Sequence, residues 1–173
     1  MSGSILIVSG LPGVGKTTIA RELATRAARG AHLDTDQIGE AFLLSGLVAP
    51  GQEPAEEAER QLALRRRNIA DLARNFADAG FDVAISDVVL WPELLEQYRA
   101  TIALPLRFVL LTATAETIAG RDAARDKHVA EQWAHLREAQ DAFRAPGLRL
   151  DTTGLSLDDT LDAIRARWDD TLF

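Results

Sequence analysis

Residues 4–18 read SILIVSGLPGVGKTT, and no other stretch of the chain constrains the fold as tightly. An apolar run without period-two alternation is the pattern of a strand buried on both faces. It leads into G-x-x-x-x-G-K-T, from Gly10 through Gly15 and Lys16 to Thr17, after which the spacing turns helical. A strand, a glycine-rich turn and a helix in that order make a cradle for phosphate: the glycines let backbone N–H groups close around an anion, and the helix N-terminus faces it. Gly10, Leu11, Pro12, Gly13, Val14, Gly15, Lys16, Thr17 and Thr18 are therefore the candidate nucleotide-binding segment. Lys16 is expected to reach the β- and γ-phosphates of ATP, and the Thr17 hydroxyl to join the coordination shell of Mg²⁺.

The remainder of the chain repeats the strand-then-helix order. Apolar runs fall at 4–9, 82–86, 106–112 and 148–152, with a weaker one at 31–34. Helical spacing is predicted for Lys16 to Ala28, Gln37 to Leu44, Ala55 to Ala79, Pro92 to Ala100, Ala115 to Ala124, Val129 to Phe143 and Leu157 to Trp168. Alternation of this kind implies right-handed βαβ units, so the expected class is α/β, with helices layered on both faces of a five-stranded parallel sheet. Gly30, Gly80 and Gly147 sit where helices should stop and strands begin, and LVAPGQEP at 47–54 is the most loop-like segment. A length of 173 residues with 47% hydrophobic side chains suits one domain spanning 1–173.

Several function classes are disfavoured. The net charge of -7 gives no global positive field for a polyanion, which argues against nucleic acid as partner. With no cysteine, neither disulfides nor a thiolate zinc site can form, and the three histidines lack metal-ligand spacing. The apolar runs are too short for a leader or membrane anchor, so a soluble cytoplasmic protein is expected.

The candidate chemistry outside the phosphate cradle lies in HLDTDQ at 32–37. The second strand of such a fold ends beside the cradle, which brings Asp34 and Asp36 toward a γ-phosphate. Phosphoryl transfer to an alcohol needs a group that orients the hydroxyl and takes its proton. Asp36 is assigned as general base and acceptor ligand, and Asp34 as a contributor to the water shell of Mg²⁺. Asp34 followed by Gln37 also has the spacing of a helix cap, and that alternative stays open. Asp87, at the end of the third apolar run, is either an acceptor ligand or a capping acid. In the run Arg65, Arg66 and Arg67, consecutive residues face different ways, so the run is either a solvated face or offers Arg67 to the acceptor. Arg121 and Arg125 share a helical face at i, i+4, where two like charges invite an anion between them.

The cradle motif, HLDTDQIGE, AISDVVL, the RDAAR segment and LDTTGLSLDDTLDAI together resemble chloramphenicol phosphotransferase and its relatives among the shikimate and gluconate kinases, in order and spacing over nearly the whole chain. The resemblance implies a P-loop nucleoside triphosphatase domain with a mobile arginine-bearing lid at about 116–130, in which Arg121 and Arg125 meet the transferring phosphoryl. It implies that the acid matching Asp36 contacts the acceptor hydroxyl and that adenine rests against Thr153 and Gly154. The expected activity is transfer of the γ-phosphoryl of ATP, with Mg²⁺, to a hydroxyl of a small molecule. The alternatives are a polynucleotide 5′-hydroxyl kinase and a nucleotide-dependent regulatory module that binds a protein. The chain lacks the Gly-Gly-Gly of shikimate kinases after the third strand, and Ser86-Asp87 stands where chloramphenicol phosphotransferase has two acids, so the acceptor is left open, as is the oligomeric state.

Overall fold

In the computed structural model, which describes residues 2–123 and 135–173, five parallel strands form one sheet in the order β2-β3-β1-β4-β5. The strands are β1 (Ile5–Gly10), β2 (Gly30–Asp34), β3 (Asp82–Ser86), β4 (Leu106–Thr112) and β5 (Leu148–Asp151). Every residue of β1 is buried, as its unbroken apolar run requires of the central strand. By contrast, β2 lies at one edge and is buried only at Leu33 and Asp34, which explains why its apolar signal was the faintest.

The helices are α1 (Lys16–Thr25), α2 (Thr35–Phe42), α3 (Ala55–Asp78), α4 (Pro92–Ile102), α5 (Ala115–Ala123), α6 (Leu136–Ala142) and α7 (Leu157–Ala166), followed by a 3₁₀ turn at Trp168–Thr171. The chain steps from β1 outward to β2, then reverses and steps through β3, β4 and β5. Right-handed crossovers then put α1 on one face and α3 and α4 on the other, and the contacts agree: α1 packs with α7, and α3 with α4 and α2. The face of α3 turned to the sheet is built of Ile69, Ala70, Ala73 and Ala77, small side chains that let a long helix lie close.

The reversal of strand order falls beside β1, so the crevice where open α/β sheets hold ligands opens at the C-terminal ends of β1, β2 and β3. Helix α2 begins at Thr35, two residues before the periodicity predicts, because Asp34 caps it through its side chain. Of the segment expected to be helical from Val129 to Phe143, residues 129–134 lie outside the described residues, and α6 covers Leu136–Ala142. Among the described residues, no helix is long and apolar enough to cross a membrane.

Candidate active site

Strand β1 delivers the chain into the glycine-rich turn at Gly10, whose φ of 143° belongs to glycine and where a Cβ would lie 2.4 Å from the carbonyl oxygen of Leu111. The turn ends at Gly15, the residue before α1, with φ of 109° and open space where a side chain would project. Helix α1 carries no acidic residue in its own first turn, so no carboxylate of the helix itself opposes an anion at its N-terminus. Lys16 Nζ donates to the Leu11 carbonyl at 3.0 Å, folded along the loop it serves. The Leu11 N–H donates in turn to Oε1 of Gln140, a buried side chain on α6, at 3.2 Å. Gln140 had no signal in the sequence, since a lone glutamine in a helix carries neither periodicity nor motif.

Asp34 caps α2 with one carboxylate oxygen and ties down Thr17 and Ser86 with the other. Its Oδ1 accepts the backbone N–H groups of Asp36 (2.9 Å) and Gln37 (3.2 Å), which caps α2. Its Oδ2 accepts the hydroxyls of Thr17 (2.9 Å) and Ser86 (2.6 Å). Burial would raise the Asp34 pKa, but these hydrogen bonds, Ser86 and Thr17 foremost, outweigh it and hold the carboxyl below its ordinary value. His32, two residues back on β2, lies with Nε2 3.0 Å from the Ser86 hydroxyl. Because Thr17 spends its proton on Asp34, its oxygen lone pairs stay available beside the cradle. Asp36 stands exposed in the first turn of α2, at the same end of the sheet.

Around β3 the structure corrects the sequence reading. Asp87, read from the sequence as either an acceptor ligand or a capping acid, is 3% exposed and its carboxylate is taken up by the protein. Arg66 reaches it through Nε at 2.7 Å and Nη2 at 3.3 Å, the Tyr98 hydroxyl at 3.0 Å, the Thr35 hydroxyl at 3.1 Å and the Val88 N–H at 2.8 Å. Burial works against the charge on Arg66, but the Asp87 carboxylate raises its pKa overall; burial and the same carboxylate push the Tyr98 phenol well up. Arg67, the arginine singled out for the acceptor, is exposed instead, and it is Arg65 and Arg66 that turn inward. Arg65 lies flat against Gly39 of α2, and its Nε finds no hydrogen-bond partner among the described residues.

On the other side of the cradle, a cleft of about 370 Å³ is lined by Val14, Gly15, Thr18, Arg121, Thr152 and Leu155, among others. Arg121 was expected to point at the transferring phosphoryl. Its guanidinium is instead knitted into this wall, donating to the Val14 carbonyl (2.9 Å), the Thr152 hydroxyl (2.9 Å), the Thr152 carbonyl (2.8 Å) and the Leu155 carbonyl (3.4 Å). Four acceptors on one fork tie α5 to the cradle and to the loop after β5. Thr153 and Gly154 sit between Thr152 and Leu155 without lining the cleft; Thr153 accepts the Thr114 N–H at 3.0 Å. Arg125, and the part of the expected lid beyond residue 123, lie outside the described residues. Among the described residues, no three His, Asp or Glu side chains are grouped to hold a metal ion.

Solved structures share this architecture from end to end. A sugar kinase from Janibacter sp. HTCC2649, in an unliganded structure, is 22% identical, with 96% of this chain and 95% of that one covered at a TM-score of 0.68. The tunicamycin resistance protein of Deinococcus radiodurans is 20% identical, with 98% of each chain covered and a TM-score of 0.69. A gluconokinase from Sinorhizobium meliloti 1021 is 15% identical, with 97% and 95% covered and a TM-score of 0.67. These likenesses establish the P-loop nucleoside triphosphatase fold. None of the curated protein sequences matches the chain significantly. A family model described as an AAA domain matches residues 5–146, most of the chain including the cradle and both acid-bearing strand ends, and the protein belongs to that family.

Proposed function

We propose that the protein transfers the γ-phosphoryl of ATP to a hydroxyl of a small molecule, with Asp36 as the general base. The observation that carries this reading is the Thr17 to Asp34 hydrogen bond, which fastens the end of β2 to the phosphate cradle, with Asp36 two residues on in the first turn of α2. The kinase neighbours, covered over nearly their full length, support the same class of chemistry.

The residues present fit a magnesium ion, because the Thr17 oxygen has its lone pairs free of the bond to Asp34 and Asp34 is held as a carboxylate. Held there by Thr17 and, through its water shell, Asp34, Mg²⁺ would neutralise charge on the nucleotide phosphates. The backbone N–H groups of Gly13 and of Gly15 to Thr17, with the Lys16 ammonium, hold the phosphates, and the α1 N-terminus favours their charge. Asp36 orients the acceptor hydroxyl in line with the γ-phosphorus and receives its proton as the new P–O bond forms and the bond from the γ-phosphorus to the bridging β-phosphate oxygen breaks, releasing ADP. Arg121 keeps the adenine-side wall in place by joining Val14 to Thr152 and Leu155.

The test is ADP release from MgATP across sugars, antibiotics, nucleosides and oligonucleotides, with Lys16→Ala as the blank. Stimulation by an alcohol-bearing small molecule, lost in the blank, is the expected result. Stimulation by oligonucleotides alone would identify a polynucleotide kinase, and ADP release that no alcohol raises would overturn the reading.

A further inference from the structure

We infer that Asp87 is a positioning residue that acts on Asp36 through Thr35, and that Arg66 and Tyr98 exist to hold it in that role; the catalytic half of this inference rests on the reading of Asp36 given above. Four elements converge on the one carboxylate: Thr35 opens α2, Arg66 comes from α3, Tyr98 from α4, and Asp87 itself follows β3. Oδ1 accepts from Thr35, Arg66 and the Val88 N–H, while Oδ2 accepts from Arg66 and Tyr98. Arg66 also donates to the Val88 carbonyl at 3.1 Å, so its guanidinium closes over the chain on both sides of the Asp87 to Val88 peptide. A buried carboxylate with both oxygens so occupied has no place for an acceptor hydroxyl, and releasing it from Arg66 would strand two charges away from water.

What the cluster grips is the start of α2. That helix is short, it is followed by the loop at 43–54, and Thr35 and Gly39 are its buried residues. Its first turn is therefore pinned twice, once by Asp34 through the backbone N–H groups of Asp36 and Gln37 and once by Asp87 through the Thr35 side chain. The first pin comes from the end of β2 and the second from the end of β3, so Asp36 is referenced to two neighbouring strands of the sheet. With the Thr35 hydroxyl removed, the β3 pin is lost and the turn can tilt. A base displaced by an ångström loses alignment with the acceptor while the cradle, on α1, keeps its hold on ATP.

The experiment compares Thr35→Val, which is nearly isosteric and lacks the hydroxyl, with Thr35→Ser, which keeps it, and with Tyr98→Phe. Two quantities are read: amide hydrogen exchange at Asp36 and Gln37, and the kcat and KM for MgATP with an acceptor from the screen above, or with water where none is found. Thr35→Val should speed exchange at both amides by roughly tenfold and lower kcat by about tenfold or more with KM for MgATP within about twofold. Tyr98→Phe should move both quantities in the same direction, and Thr35→Ser should restore both. Unchanged exchange in Thr35→Val overturns the inference, as does faster exchange with unaltered kcat. A Tyr98→Phe protein with unchanged exchange and a raised KM for the acceptor would return Asp87 to acceptor binding. If exchange responds as expected while the wild-type protein turns over nothing, the tether stands and it is the kinase reading that fails.

Discussion

Asp34 and Asp36 show how two identical side chains, with a single residue between them, acquire different chemistry from their surroundings. Asp34 is buried and takes four hydrogen bonds, so it organises its neighbours; Asp36 is exposed at the mouth of the site. Asp36→Asn keeps the size and removes the base, so turnover should fall by roughly 10²–10⁴-fold while MgATP affinity, measured by calorimetry, stays within about twofold. Retained turnover would remove the assignment. His32 offers a separate check on stability. Burial lowers its pKa from 6.5, with Arg21 adding to the effect and Asp34 opposing it. A folded pKa below the unfolded one means that the unfolded chain binds the proton first, so this contribution is full above pH 6.5 and is lost as pH falls through the folded value. The thermal midpoint should therefore drop on acidification below pH 6.5, and His32→Gln should flatten that part of the profile; an unchanged slope would exclude His32 as its source. At this scale the sequence was informative where a motif fixed the geometry and silent where facing decided it. The cradle residues and the cap on α2 were legible, whereas the choice between Arg66 and Arg67 turned on the rotational phase of α3, which three consecutive arginines cannot reveal.

Helices α2 and α3 meet where Gly39 lies under the Arg65 guanidinium, and this contact can be tested by adding a single methyl group. A Cβ on Gly39 would fall 2.7 Å from Nη1 and 2.8 Å from Cζ of Arg65, and that side chain is buried with little room to retreat. Gly39→Ala should destabilise the fold by about 1–3 kcal/mol in urea titrations despite the better helix propensity of alanine. Gly120, on α5, has nothing among the described residues within 4 Å of the same added atom, so Gly120→Ala should be stabilising by up to about 1 kcal/mol. Equal effects at the two positions would mean that propensity, not packing, governs both. Element boundaries were read well where burial is nearly complete, as in β1 and β4, whose runs are apolar but for Ser9 and Gly10 in the one and Arg107 and Thr112 in the other. That arginine stays half-buried by lying 4.5 Å over the Trp168 ring and donating to its carbonyl, a solution only the folded C-terminus provides. The weak signal for β2 and the early start of α2 share another cause: an edge strand needs fewer apolar residues, and a capping side chain can begin a helix before its apolar spacing does.

For the whole molecule, the sheet determines which distant segments meet, and this is why the functional reading required the fold. Strand order β2-β3-β1 places the ends of three strands in a row, so Asp34, Asp87 and the cradle are neighbours although they span 78 residues of sequence between Gly10 and Asp87. The parallel α/β order followed from alternating patterns, but the burial of Asp87 did not, because it depends on Tyr98 and Arg66 arriving from separate helices. The overall charge of -7 repels a nucleotide at long range, so affinity must arise in the cradle itself, from backbone N–H groups, the α1 N-terminus and Lys16. That cradle is continuous with the central strand, and a ligand held there should stabilise the whole fold. At a MgATP concentration of 100 times Kd the stabilisation is about 2.7 kcal/mol, which for a domain of this size corresponds to a rise in thermal midpoint of roughly 5–11 °C. Lys16→Ala should lose most of the rise while leaving the nucleotide-free midpoint within about 2 °C, because the lysine contributes little to the core. A midpoint indifferent to MgATP in the wild-type protein would show that the cradle, for all its geometry, does not bind nucleotide, and the assignments of Asp34 and Asp36 would fall with it.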